Sequence, residues 1–160
     1  MSVQHVETLL NAALVYQRED FDPNARDWKR QRELMDAHAM ELRGMPAEPD
    51  IFQYQRLQRE GRLVIITARD GKGILQGYSS HFWHRDLHFN IRVAQDDGIY
   101  VVPELRKQGV GTFLRKMAIH ELKKAGVQVV LGRLKVAHPH DESMTELGFV
   151  PWETVYIREI

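Results

Sequence analysis

The pattern of strands and helices along this 160-residue chain predicts an α/β fold. Two observations predict it. The β-branched run Leu63 to Thr67 leads through Asp70-Gly71-Lys72-Gly73 into a second extended run, Ile74 to Trp83, the arrangement of an antiparallel hairpin. Farther on, the short strand Ile99 to Val102 is followed by a glycine-containing turn, an amphipathic helix and the buried-strand pattern Val127 to Leu131. A strand, a helix and a strand in that order give a right-handed crossover and a parallel pair, so the sheet is mixed and helices cover its faces.

Taken in order, Val3, Val6, Leu9, Leu10, Ala13 and Leu14 suit a helix, and a short opening strand before Leu9 is also allowed. Arg26 to Arg43 is rich in helix formers, with Trp28, Leu34, Met35 and Leu42 available for burial, and Gly44 and Pro46 stop it. Pro49-Asp50 caps a second helix running to about Glu60 and ended by Gly61. Asp97-Gly98 reads as the turn that introduces Ile99 to Val102, which Pro103 closes. Val110, Phe113, Leu114, Met117, Ala118, Leu122 and Ala125 then recur at helical spacing, with Lys123 and Lys124 at the negative end of the dipole and Gly126 beyond it. A short helix ending near Leu147-Gly148 and a final strand around Thr154 to Ile157 complete the prediction.

Lys plus Arg and Asp plus Glu both count 22, so no net field recommends the whole protein to nucleic acid or an anionic membrane. The scattered basic residues of Ala25 to Arg43 and the His-aromatic segment are weak grounds for nucleic-acid binding, which ranks last. The absence of cysteine excludes disulfides, thiolate catalysis and cysteine-ligated zinc. No apolar run approaches the roughly 18 residues needed to span a bilayer, so no membrane partner is expected and the cytoplasm is the expected location. No repeat, low-complexity tract or linker divides the chain, so one domain is expected over 1–160, with a variable helical part at 1–61 and the sheet core at 62–160.

The chemistry is carried by Arg106-Lys107-Gln108-Gly109-Val110-Gly111-Thr112. Its glycines lie between strand and helix, where missing side chains let backbone N–H groups approach an anion and the helix N-terminus adds partial positive charge. A pyrophosphate fits. The third glycine of a dinucleotide fingerprint and the Gly-Lys-Ser/Thr ending of a nucleotide-triphosphate loop are both missing.

In these residues the chain resembles the GNAT acetyltransferases, whose signature is Gln or Arg, two residues, Gly, one residue, then Gly or Ala. Tyr100-Val101-Val102-Pro103 is similar to that family's preceding strand, Val127 to Leu131 to its following strand, and Leu147-Gly148-Phe149 to the end of its next helix. The resemblance runs from about Asp97 onward, over a third of the chain, and phage and prophage members have similar length. It implies a GNAT-like mixed, mostly antiparallel sheet with a central parallel splayed strand pair and helices on both faces. It implies acetyl-CoA as cosubstrate and no metal. The amides of Gln108, Gly109, Val110, Gly111 and Thr112 would bind the pyrophosphate, helped by Arg106 and Lys107. The pantetheine arm would lie beside Tyr100, Val101 and Val102, with a backbone N–H near Val101 or Val102 facing the thioester carbonyl. For a phage-encoded member the cytoplasm is the host's, and family habit leans toward a homodimer.

An alkylammonium is not nucleophilic, so the site needs a base and then an acid for the departing thiolate. Met144 occupies the position where many family members carry a tyrosine acid, and Ala137-His138 stands where an asparagine is common. Asp97 is either a turn residue or the base. His138 and His140, flanking Pro139, face one side of an extended segment, which suits proton transfer, acceptor contact or a metal, or else a solvated loop; no metal is expected. His81 and His84, with His88, Phe82, Trp83 and Phe89, line the mouth of the site or are edge aromatics. Tyr156 supplies a replacement hydroxyl or packs on the sheet, and Glu153, Glu41 and His38 are acceptor contacts or solvated. The favoured function is an acetyl-CoA-dependent N-acyltransferase moving an acetyl group to a primary amine of a small molecule or protein in a ternary complex. The alternative, favoured by Met144, is a weak or inactive GNAT-like binding or assembly module that retains CoA.

Overall fold

The computed structural model of the protein describes residues 13–134, 141–158 and 160. Strand β1 (Val15–Glu19) is followed by helices α1 (Trp28–Arg43) and α2 (Ile51–Arg59), then β2 (Leu63–Arg69), β3 (Leu75–Arg85) and β4 (Arg92–Val101). A 3₁₀ turn (Pro103–Leu105), helix α3 (Val110–Lys124), strand β5 (Val129–Leu131) and helix α4 (Asp141–Glu146) complete the order. The sheet runs β1-β2-β3-β4-β5 with every pair antiparallel except β4 and β5.

Local chemistry explains the boundaries. The Asp50 carboxylate accepts from the Gln53 amide at 3.0 Å and opens α2. Asp70 accepts from the amides of Lys72 and Ile74, each at 2.9 Å, which tightens the β2–β3 turn. Gly44 ends α1 in the left-handed region at φ 70°.

Alternation along β2 sorts the core into two layers. Val64, Ile66 and Ala68 pack with Val110, Leu114, Ala118 and Leu122, the buried stripe of α3. Leu63 and Ile65 face the opposite layer, where Phe21, Trp28, Ile51, Tyr54 and Leu57 gather. Leu34 of α1 covers Tyr100, Val102 and Leu75 on that side. Leu114 and Leu122 are fully buried, each worth about 1.5–3 kcal/mol of transfer free energy.

Three expectations need correction, and one lies outside the described residues. The segment Val3 to Leu14, open to a helix or a short strand, falls almost wholly on residues 1–12, outside the described residues. The strand expected at Ile99 to Val102 begins at Arg92, because β3 is long enough to pair the chain from there and carries Asp97-Gly98 inside the ladder rather than at a turn. Strand β5 is shorter than Val127 to Leu131, and its parallel partners are Val93, Ala94 and Gln95 rather than Ile99 to Val102. Thr154 to Ile157 is no strand: Tyr156 and Ile157 are 90% and 84% exposed. Its alternating β-formers satisfy the propensity, but a strand also needs a ladder partner, and the segment pairs with none of the described strands. Among the described residues no helix is long and apolar enough to cross a membrane.

Candidate functional site

Two irregularities in β4 create the site. Ser80 pairs with Gly98 and His81 with Asp96, so Asp97 is an extra residue, a β-bulge. One extra residue reverses the alternation of faces. Before the bulge Asp96 faces α3, where Arg115 lies 3.5 Å away. After it, Gly98 and Tyr100 face α1, whose His38 ring packs so closely on Gly98 that a Cβ there would stand 3.0 Å from its Cε1. The second irregularity is the parting of β4 from β5 after Gln95 and Leu131. The Asp96 carboxylate accepts the Arg133 amide at 3.1 Å, holding the outgoing chain where the strands diverge.

Beyond this point one edge of β4 is exposed to the gap. The Val102 amide donates to the Gln76 carbonyl at 2.9 Å, so by antiparallel alternation the N–H and C=O of Val101 turn away from β3 toward the side β5 has left. Arg106 Nε donates to that Val101 carbonyl at 2.9 Å. Its guanidinium lies 5.2 Å from the Tyr100 ring and pairs with Glu41 of α1 at 2.7 Å.

Next to this edge the chain turns into α3. Lys107 and Gly109 both hold positive φ, 61° and 78°, which bends the loop so that α3 starts against Val101; the place of a Gly111 Cβ is 3.8 Å from Val101 Cγ2. The first intrahelical bond is from the Phe113 amide to the Gly109 carbonyl at 2.9 Å. The amides of Val110, Gly111 and Thr112 therefore belong to the turn that α-helix geometry leaves without intrahelical acceptors, and Gly109 as N-cap has no side chain to cap them. The arrangement suits an anion.

On the α1 and α2 side the bulge presents the Asp97 carboxylate, which accepts a hydrogen bond from the Tyr54 hydroxyl of α2. Tyr78 of β3 meets His38 Nδ1 at 3.0 Å. Burial first, and then the negative charge of Asp97, raise the pKa of both Tyr54 and Tyr78, so both phenols stay protonated at neutral pH. The Asp97 carboxylate stands where the two halves of the site meet.

The opposite layer holds a separate buried network. Arg115 is flanked by Asp96 and His81, and His81 Nδ1 lies 3.2 Å from Ser79 Oγ. Burial, reinforced by Arg115, lowers the His81 pKa to about 4, and burial raises that of Asp96. His81 is therefore neutral and faces α3, on the side of the sheet away from Asp97 and Tyr54.

The residues singled out from sequence are distributed unevenly. Tyr100, Val101 and Val102 lie along the chain beyond the strand gap, the Arg106 to Thr112 loop leads from there into α3, and Asp97 stands just before them in the bulge. Glu41 reaches this stretch through Arg106, and His38 through Gly98 and Tyr78. His84 sits at the far end of β3 opposite Val93, and His88 lies in the exposed β3–β4 loop beside Phe89. Glu153 and Tyr156 stand on the exposed stretch after α4, and no contact among the described residues joins them to Asp97. His138 and His140 lie outside the described residues. Met144 is buried, and its methyl packs where a Gly132 side chain would be. Sequence reasoning missed Tyr54 and Tyr78. The signal for Tyr54 was its place on the buried stripe Ile51, Tyr54, Leu57 of α2, where a polar tip needs a partner. Among the described residues no group of three or more His, Asp or Glu side chains is arranged to hold a metal.

Two kinds of comparison bear on this geometry. A structure of an aminoglycoside acetyltransferase from an uncultured soil metagenomic sample, in complex with sisomicin, superposes with a TM-score of 0.71 at 14% identity over 94% of this chain and 98% of that one. A Trypanosoma brucei acetyltransferase gives 0.70 at 15% identity, covering 91% and 100%. A ribosomal-protein-alanine N-acetyltransferase from Brucella melitensis biovar Abortus gives 0.64 at 18% identity, covering 92% and 99%. At these identities the likeness is one of fold. No curated protein matches the chain in sequence. The family model for GNAT acetyltransferases, however, matches residues 24–149, which include α1, the bulge, the glycine loop and α4. The chain belongs to the GNAT family of acetyltransferases.

Proposed function

We propose that the protein is an acetyl-CoA-dependent N-acyltransferase that moves an acetyl group to a primary amine by direct attack in a ternary complex. The observation that carries this reading is the meeting, at one point of β4, of the strand gap, the uncapped α3 N-terminus and the Asp97 carboxylate on the other face. The residues fit the donor. The first-turn amides of α3 and the loop Arg106 to Thr112 suit its pyrophosphate, and the edge of β4 at Tyr100, Val101 and Val102 suits its pantetheine amides. Of the two amides considered for the oxyanion, Val102 is engaged by Gln76, so Val101 is the better donor.

The acceptor amine comes from the α1 and α2 side. Asp97 takes the ammonium proton, directly or through water, and the free amine attacks the thioester carbon. A carbon–nitrogen bond forms, the Val101 N–H stabilises the negative oxygen, the nitrogen of the tetrahedral intermediate gives its second proton to water, and the carbon–sulfur bond breaks to release CoA thiolate. Tyr54 orients Asp97 and remains a proton donor to it. Thiolate protonation from solvent suffices, because a thiolate leaves readily without an acid.

Burial of Met144 among apolar groups favours a second reading, a domain that binds CoA without turning it over. Thiol release measured with acetyl-CoA and a panel of primary amines separates the two. Amine-dependent release, with a product one acetyl group heavier, supports the enzyme. CoA binding without release for any amine supports the binding module.

A further inference from the structure

The α1 and α2 layer contains a cavity of about 50 Å³ beside the Asp97 cluster. Phe21, Met35, Ile65 and Leu75 form its apolar walls. Most polar groups that border it have partners: the Tyr54 hydroxyl donates to Asp97, Tyr78 meets His38, Thr67 donates to Glu19 at 2.7 Å, and Gln31 donates to Asp27 at 3.0 Å. The Ser80 hydroxyl, 4% exposed, borders the cavity and makes no hydrogen bond of ordinary geometry. None of the lining residues is a carboxylate. Glu19 and Asp27, the partners of the bordering Thr67 and Gln31, are both held by Arg69 at 2.6 and 2.7 Å.

A polycationic acceptor such as an aminoglycoside or polyamine needs several carboxylates to replace its hydration, and this wall offers one, Asp97, through Tyr54. The volume is about a third of the roughly 150 Å³ that accommodates a benzene ring, which leaves room for a short aliphatic group of about two to four carbons. Apolar walls reward such a group and penalise a second charge. We propose that the acceptor is a primary amine with a single positive charge, carried on a short aliphatic group that enters this cavity while the ammonium stands at Asp97. The inference rests on the acetyl-transfer reading above. The same chemistry is offered by a free alkylamine and by a peptide whose first residue is aliphatic.

The test is thiol release with isobutylamine, a short peptide beginning with leucine, spermidine and sisomicin, run beside calorimetric binding of acetyl-CoA. The expected result is kcat/KM at least about tenfold higher for one of the first two than for either polycation, and the better of the two identifies the source. Met35→Ala, which widens the cavity, shifts the optimum from isobutylamine toward longer alkylamines and leaves acetyl-CoA affinity unchanged. Met35→Trp, which fills it, removes the aliphatic preference. A general loss of folding would lower every rate together and would not move the optimum. Turnover that is equal or faster with the polycations, or an optimum unmoved by Met35→Ala, overturns the inference and leaves acetyl transfer standing. Absence of thiol release with every amine overturns both.

Discussion

Replacing Asp97 by Asn tests the proton-transfer step directly. The change keeps the volume and an oxygen that can still accept from Tyr54, so the bulge and the β3–β4 register persist. The bond weakens from one made to a charged acceptor to one made to a neutral acceptor, a loss of about 1 kcal/mol. For a chain of 160 residues that corresponds to a fall of about 2–4 °C in Tm. Acetyl-CoA affinity should not change, because the α3 amides and the Val101 edge are untouched. Removing a positioned base lowers kcat/KM about 10²- to 10⁴-fold at pH 7. The deficit shrinks as pH rises toward about 10, where a free alkylamine loses its proton in solution and needs no base. Steady-state thiol release from pH 7 to 10, with calorimetric donor binding at each pH, reads all three quantities. A variant that binds acetyl-CoA normally and keeps more than a third of wild-type kcat/KM at pH 7 refutes the assignment and leaves Asp97 as a bulge residue alone.

Three further outcomes follow from the same geometry. Gly109→Ala forces a side chain into φ 78° and is expected to cost about 1–2 kcal/mol, read as an earlier urea midpoint with an unchanged slope, together with weaker acetyl-CoA binding. Glu41→Gln releases Arg106 from its 2.7 Å ion pair; both side chains are 39–45% exposed, so the pair is worth at most about 1 kcal/mol and donor affinity should rise no more than about fivefold, less at high salt. Wild-type stability should fall as pH drops from about 6.5 to about 4, because unfolded His81 takes up a proton that buried His81 resists until about 4. That fall is of the order of 3 kcal/mol, and chemical denaturation at pH 7, 5.5 and 4 should show it in wild type and much less of it in His81→Gln.

Much of the donor side was legible in the sequence because it depends on local signals. The apolar spacing of α3, the glycines before it and the β-branched run Leu63 to Thr67 each act within a few residues, and each appears where the pattern places it. The acceptor side was less legible because it depends on long-range pairing. Asp97-Gly98 has the chemistry of a turn, and only the register with Ser80 and His81 turns it into a bulge that aims Asp97 at Tyr54, 43 positions earlier in the chain. In sequence His81 belongs to a cluster of aromatics at a cleft mouth or a sheet edge; alternation on β3 sends it under α3 to Arg115, a face that cannot be chosen without knowing which helix covers it. The last β-like segment failed for the converse reason, since its residues favour a strand and the described sheet provides no ladder for it.

The most direct test of the central claim is calorimetric titration of the protein with acetyl-CoA, repeated on Gly111→Ala and Gly111→Trp. A Cβ at Gly111 meets only ordinary van der Waals contact with Val101, so the alanine variant should bind the donor nearly as the wild type does, and the indole should block the first turn of α3. One donor bound per chain, retained with alanine and lost with tryptophan, is the predicted result. A folded wild-type protein that binds no acetyl-CoA, or a tryptophan variant that binds it undiminished, would contradict the assignment of the donor to the β4–α3 loop.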